Sequence, residues 1–252
     1  MKTICKMLGG SHSYGLQTPE SDTDYRGVFL NTDVATVIGL DRFEHQDLKS
    51  AQADCFYWEL RHFLNLLRKG NSQGVELLFN TDWLELDPAF QQLIGRRLEL
   101  IDTTKMYRCL KGYIQGERRL AAGERQGVLG GKRRAAVERY GYSPKNCVQL
   151  LRLCWAGTHF FRCQVFPVNV REYEPVFADR LLSIKTTPEQ FRIAELLLQV
   201  DDLEHGMDEA FDELRPADHL CFDSDLANQI LVDCYLPILQ GFQTNTAAAS
   251  VV

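Results

Sequence analysis

The sequence predicts an α+β chain whose strands are concentrated in about the first 100 residues and whose remaining 150 or so are helical. Two observations carry this. Short apolar runs closed by Gly and Pro fill the N-terminal part, whereas beyond about residue 100 the apolar residues recur at helical spacing over four long segments. With 252 residues, 45% of them hydrophobic, the chain can bury one or two cores. The break divides it into residues 1–100 and 101–252, lengths suited to two small domains.

Residues 3–8 read as a first strand, ended by Gly9-Gly10, which opens a tight turn. Ser11 to Leu16 can form a turn or two of helix, and Pro19 stops it. Asp22 to Leu30 reads as a second strand, with Asp22, Asp24, Arg26 and Val28 on one face because strand side chains alternate. Residues 34–48 read as further strand and loop. From Phe56, with Leu60, Phe63, Leu64 and Leu67 at helical spacing, a helix is expected to run to Gly70, with Asp54 just ahead of it. A short helix, Val75 to Phe79, follows. The helical region then comprises Thr103 to Arg119, Ser143 to Phe161, Pro188 to Leu214 and Asp225 to Leu239, and the tail from Thr244 to Val252 is expected to fray.

No apolar run approaches the roughly 20 residues needed to span a bilayer, and the first residues lack the pattern of a secretory signal. A cytoplasmic protein with no membrane partner is expected. Eight cysteines without a CxxC pair suggest neither a zinc ribbon nor a disulfide framework, but reduced and mostly buried thiols. The net charge of −6 conceals an asymmetry: residues 105–162 hold thirteen Lys and Arg, among them Arg125, against Glu117, Glu124 and Glu138. A basic band inside an acidic chain favours a phosphate or polyanion ligand.

The chemistry is concentrated near the N-terminus, where Gly10-Ser11 precedes Asp22-x-Asp24 on a strand. Gly permits close backbone approach to phosphate oxygens, and a Ser hydroxyl with exposed N–H groups can hold them. The Asp pair offers hard oxygen ligands for Mg²⁺. Taken separately, these would be an ordinary turn and two strand-edge charges.

The whole stretch Gly10-Ser11-His12-Ser13-Tyr14-Gly15-Leu16-Gln17-Thr18-Pro19-Glu20-Ser21-Asp22-Thr23-Asp24-Tyr25-Arg26-Gly27-Val28-Phe29, however, resembles the nucleotidyltransferase motif of the DNA polymerase beta superfamily, and within it the RlaP-type group of RNA-repair nucleotidyltransferases. Glu59 to Leu64, Gly70-Asn71 with Glu76 to Leu78, and Tyr140 to Asn146 with Leu150 to Leu153 extend the resemblance over most of residues 5–165. Little chain precedes the first strand, so any helix found there in relatives would be missing, which bears on packing more than on catalysis.

The resemblance implies a mixed sheet with flanking helices and a two-metal site for Mg²⁺ or Mn²⁺ on Asp22, Asp24 and a third carboxylate. Asp54 is the candidate for that third place, with a helix N-cap as its alternative role. Glu44 is held in reserve, and Glu59 and Glu76 are assigned to helices. Gly10 and Ser11 would hold the triphosphate of an NTP such as ATP.

In the second region, Ser143-Pro144 marks a helix start. Lys145, Gln149, Arg152, Ala156 and His159 fall on one stripe that faces solvent or a site. The resemblance around Lys145 turns that stripe toward phosphate, with Lys145 as a point charge and Arg152 as a bidentate grip on phosphate or carboxylate. Gly130 to Arg134 reads as a basic loop, mobile or merely exposed. Tyr107, Tyr113, Tyr140 and Tyr142 could stack bases or belong to the core. The Arg152-x6-His159 spacing also fits, loosely, that of HEPN-type ribonucleases.

Three functions follow for test: transfer of an NMP from an NTP to an RNA or DNA 3′ end with release of pyrophosphate, RNA being favoured; transfer to a protein or small-molecule hydroxyl; and a module that binds nucleotide or RNA without turnover. The intact Asp-x-Asp argues against the last.

Overall fold

The computed structural model describes residues 1–40, 43–50, 53–124 and 130–249, with backbone only from 242. Arg125 of the basic band and the last three residues lie outside the described residues.

Five strands form one mixed sheet in the order β3-β4-β2-β1-β5, from β1 (Lys2–Leu8), β2 (Asp24–Leu30), β3 (His45–Lys49), β4 (Asp54–Glu59) and β5 (Glu85–Leu86). β1 and β2 are antiparallel, whereas β2 and β4 run parallel with Asp24 opposite Asp54. Between the strands lie α1 (Gly10–Ser13), α2 (Val34–Ile38), α3 (Leu60–Arg68) and α4 (Ser72–Phe79), with α5 (Pro88–Gly95) after β5. The expected α+β architecture is therefore present, followed by α6 (Thr103–Ala121), α7 (Gly131–Tyr140), α8 (Pro144–Cys163), α9 (Val170–Tyr173), α10 (Pro175–Thr186), α11 (Ile193–Asp212) and α12 (Ser224–Ala249).

Several boundaries differ from the sequence reading, each for a local reason. Residues 34–38 are helix rather than strand, because the Asp33 side chain accepts from Thr36 N–H (3.2 Å) and caps a turn. The helix expected from Phe56 starts at Leu60: Asp54 to Glu59 is strand, and Glu59 caps α3 by accepting from His62 N–H (3.0 Å). Asp54 is thus a strand residue and not an N-cap. The third long segment opens as a short 3-10 turn, Pro188–Gln190, and extended backbone at Phe191 and Arg192 separates that turn from α11. The Gly130–Arg134 loop is instead the lead-in and first turn of α7, and α12 runs through Pro237 to Ala249.

α8 is the hub of the helical region, packed against α6, α10 and α11, and is buried almost all round. The wet stripe expected on it is broken at Arg152 and Ala156, both fully buried. One continuous apolar cluster joins sheet and helices, from Ile4 and Val28 through Leu64 and Leu110 to Leu153 and Val200. α12 returns to α2 and α3, where Tyr235 Oη donates to the Glu59 carboxylate. Of the eight free cysteines, Cys5, Cys147 and Cys154 are buried, fewer than expected. Among the described residues no helix is long and apolar enough to cross a membrane.

Candidate active site

The parallel register of β2 and β4 is what brings two carboxylates together. Cα-paired residues of parallel strands face the same side, so Asp24 and Asp54 stand side by side at the open ends of their strands. Further along the same face Val28 and Trp58 are buried. Gly9 N–H donates to Asp24 O (2.8 Å), which draws the following turn against β2. Gly10 takes a left-handed φ of +58°, and a Cβ there would stand 2.5 Å from Asp24 Oδ2. Only glycine lets the turn lie this close to the carboxylate. In the nucleotide transfer that the resemblance implies, Gly10→Ala is expected to lower turnover on the order of 10²-fold by displacing Asp24, and to cost about 1–2 kcal/mol of stability. Pyrophosphate release and urea unfolding on the same preparation would measure both.

Asp24 lies where two cavities meet. The first, about 780 Å³, is bounded by Ser11, Asp22, Asp24, Lys132, Lys145 and Lys185, so three helices, α7, α8 and α10, each contribute one ammonium. The second, about 340 Å³, has Gly10, Asp24, Asp54 and Lys145 on its border, together with Tyr25, Phe56, Tyr113 and Arg133. Asp24 and Lys145 face both.

Asp22 precedes β2 rather than standing within it, so alternation along the strand does not place it. Its carboxylate accepts from Lys132 Nζ (2.9 and 3.1 Å), and that hydrogen bond and charge hold it below the usual carboxylate range. Both side chains are largely exposed, 68% and 85%, so the pair is weak and open to exchange. Among the described residues no three His, Cys, Asp or Glu side chains are gathered into a ready-made metal cage. Mg²⁺ is commonly held by one or two carboxylates together with substrate phosphates. Asp24 and Asp54, with Asp22 able to exchange Lys132 for a cation, offer donors of that kind.

Arg152 does not border either cavity. Its side chain is fully buried, its Nη2 stands 2.5 Å from Glu76 Oε1, and its guanidinium lies 3.7 Å over the Tyr14 ring. Tyr14 donates to Glu76 Oε2 (3.0 Å), and burial raises its pKa. The carboxylate that Arg152 grips is thus internal, and His159 packs edge-on against Trp155. Glu44 sits beside His62 (3.5 Å), next to a 50 Å³ cavity at the far end of the sheet. Since Glu59 N–H donates to Glu44 O, that end is five positions along β4 from Asp54, about 17 Å away.

The basic band is partly consumed inside the fold: Lys111 pairs with Glu204 and Asp208, and Arg118 with Asp201 and Glu204. Of the four tyrosines, Tyr113 borders a cavity and burial pushes it up to about 12. Tyr107 stacks on Phe211 and donates to Asp208, Tyr142 donates to Pro188 O from the core, and Tyr140 packs against the core beside Arg139. Sequence reasoning missed Lys185, whose Nζ donates to Ser11 Oγ (3.0 Å), Leu16 O (2.9 Å) and Ser21 Oγ (3.0 Å). Burial, and then the nearby Lys145, lower its pKa. Nothing local in the sequence around Lys185 marks it, because its partners lie more than 160 residues away.

A family model described as RlaP, RNA repair pathway DNA polymerase beta family, matches residues 1–220. The match therefore extends past residue 165, where the recognisable motifs ended, and takes in α9, α10 and α11. No curated protein matches the chain.

Proposed function

Since the chain belongs to the RlaP, RNA repair pathway DNA polymerase beta family, we propose that it transfers an NMP from an NTP to the 3′-hydroxyl of a nucleic acid, RNA in the first place, releasing pyrophosphate. The observation that carries this reading is the in-register pair Asp24 and Asp54 at the junction of a lysine-lined cavity and an aromatic one. The lysine side suits a triphosphate: Ser11 supplies a hydroxyl, and Lys132 and Lys145 supply charge. The aromatic side suits an acceptor end, with Tyr25, Phe56 and Tyr113 as stacking surfaces and Arg133 for a backbone phosphate.

Asp22, Asp24 and Asp54 would hold two Mg²⁺ or Mn²⁺ ions. Bound there, the ions would neutralise phosphate charge and favour attack by the acceptor oxygen. The chain's own part is positioning. Asp54, on the acceptor side, would receive the hydroxyl proton, Asp24 would bridge the two substrates, and Lys132, released from Asp22, would face the leaving pyrophosphate. In this reading residues 1–100 form the catalytic domain, and residues 101–252 a helical domain that closes both cavities.

The test is a pool of short RNAs and DNAs with either 3′-hydroxyl or 3′-phosphate ends, incubated with Mg²⁺ and each NTP. Extension of hydroxyl ends alone supports the proposal. Transfer to protein, or pyrophosphate release without extension, moves the acceptor to another class. A second expectation concerns binding: Arg133→Ala should weaken oligonucleotide affinity across sequences and reduce the log–log salt slope by about one. Fluorescence anisotropy at several salt concentrations would measure it.

A further inference from the structure

The carbonyl groups of Tyr14, Gly15 and Leu16 follow one another in the turn after α1, and each is received by a donor from residues 170–185. Val170 N–H donates to Tyr14 O (3.1 Å), Arg171 Nε to Gly15 O (3.3 Å) and Lys185 Nζ to Leu16 O (2.9 Å). Half-buried and buried carbonyls need partners, and here all three come from one segment far away in the chain. The fit is close. At Gly15, with φ +68°, a Cβ would stand 2.3 Å from Asn169 Oδ1 and 2.9 Å from Arg171 Cβ. The segment is itself anchored, since Trp155 Nε1 on α8 donates to Glu174 Oε2 (2.6 Å) and α10 buries Ala178, Leu181 and Ile184.

Lys185 does more than close a carbonyl. An ammonium has three N–H donors, and those of Lys185 are taken by Ser11 Oγ, Leu16 O and Ser21 Oγ. As placed, it has no donor left for a phosphate, unlike the exposed Lys132 and Lys145 of the same cavity. A serine hydroxyl that accepts from an ammonium still has its own O–H to give.

We infer that Lys185 is a positioning residue of the nucleotide turn: by occupying the acceptor side of Ser11 it directs the Ser11 O–H to a phosphate oxygen, making the α9–α10 segment part of the nucleotide site. The inference deepens the proposed transfer reaction and rests on it for the identity of the ligand. The coupling of α10 to the turn stands by itself.

The experiment is a double-mutant cycle of Lys185→Met and Ser11→Ala, read by the affinity for inorganic tripolyphosphate with Mg²⁺ and by hydrogen exchange over residues 10–21. Lys185→Met should speed exchange in that stretch and weaken tripolyphosphate about tenfold, the loss of one charge-assisted hydrogen bond. Ser11→Ala added to it should cost little more, because both changes remove the same interaction. Additive losses would make Lys185 a direct phosphate ligand and overturn the inference, as would unchanged exchange. Should the wild-type protein fail to bind tripolyphosphate, the proposed reaction falls, and the exchange result still decides whether Lys185 holds the turn.

Discussion

Asp24→Ala is expected to abolish nucleotide transfer while leaving the fold intact. Asp24 borders both cavities and stands in register with Asp54. In the proposed reaction its loss therefore removes the group common to both cavities rather than one contact to either. A metal-mediated phosphoryl transfer draws several kcal/mol from such ligands, which at about 1.4 kcal/mol per tenfold corresponds to a loss on the order of 10³-fold or more. The fold should survive, because the interaction that ties the turn to β2 is made by the Asp24 main chain, through Gly9 N–H. Asp22→Ala should also abolish transfer, and it removes only an exposed pair with Lys132. Initial rates of pyrophosphate release, beside thermal melts, would check both. An Asp24→Ala protein with near wild-type turnover would refute the assignment of the site.

Glu76→Ala is expected to destabilise the protein by about 3–5 kcal/mol, the usual cost of leaving one member of a buried ion pair alone. Arg152 is fully buried, and its Nη2 contact with Glu76 (2.5 Å) joins α8 to α4 across the boundary between the two regions. The same substitution takes away the acceptor of the Tyr14 hydroxyl. Replacing both charges, as Glu76→Leu with Arg152→Met, should recover much of the loss, since a buried pair contributes little over apolar packing of the same volume. Urea unfolding of the single and double variants would measure this. Nucleotide affinity of the double variant separates the structural role from the phosphate grip read from sequence. Affinity close to wild type fits a structural Arg152, whereas a tenfold or greater loss would return it to the ligand.

What the sequence disclosed depended on how local the determinants were. Gly9-Gly10, the alternation after Asp22 and the capped, apolar-striped helices are short-range signals, and β1, β2, α4, α6 and α8 lie close to where they were expected. β4 was hidden because Glu59 is both its last residue and the cap of α3, so no turn residue separates strand from helix. The helical spacing of Leu60, Phe63, Leu64 and Leu67 then reads as beginning at Phe56. α7 buries only Val137 and presents no apolar stripe to read.

The same distinction holds at the site. Gly10, Asp24 and Asp54 come together through one turn and one strand register. Arg152 and Lys145 share a helical face in sequence, yet one is sealed against Glu76 and the other borders both cavities. Only the tertiary fold decides between them. Lys185 had no local signal at all, its hydrogen-bond partners being oxygens more than 160 residues away in sequence.

The most direct measurement is to supply α-labelled NTPs, one at a time with Mg²⁺ and 3′-hydroxyl RNA, to the wild-type protein and to Asp24→Ala, and to resolve the products on a denaturing gel. A catalytic Asp24 predicts label on the RNA with the wild type and none with Asp24→Ala. Label appearing equally with both proteins, or with neither for any NTP, would contradict it.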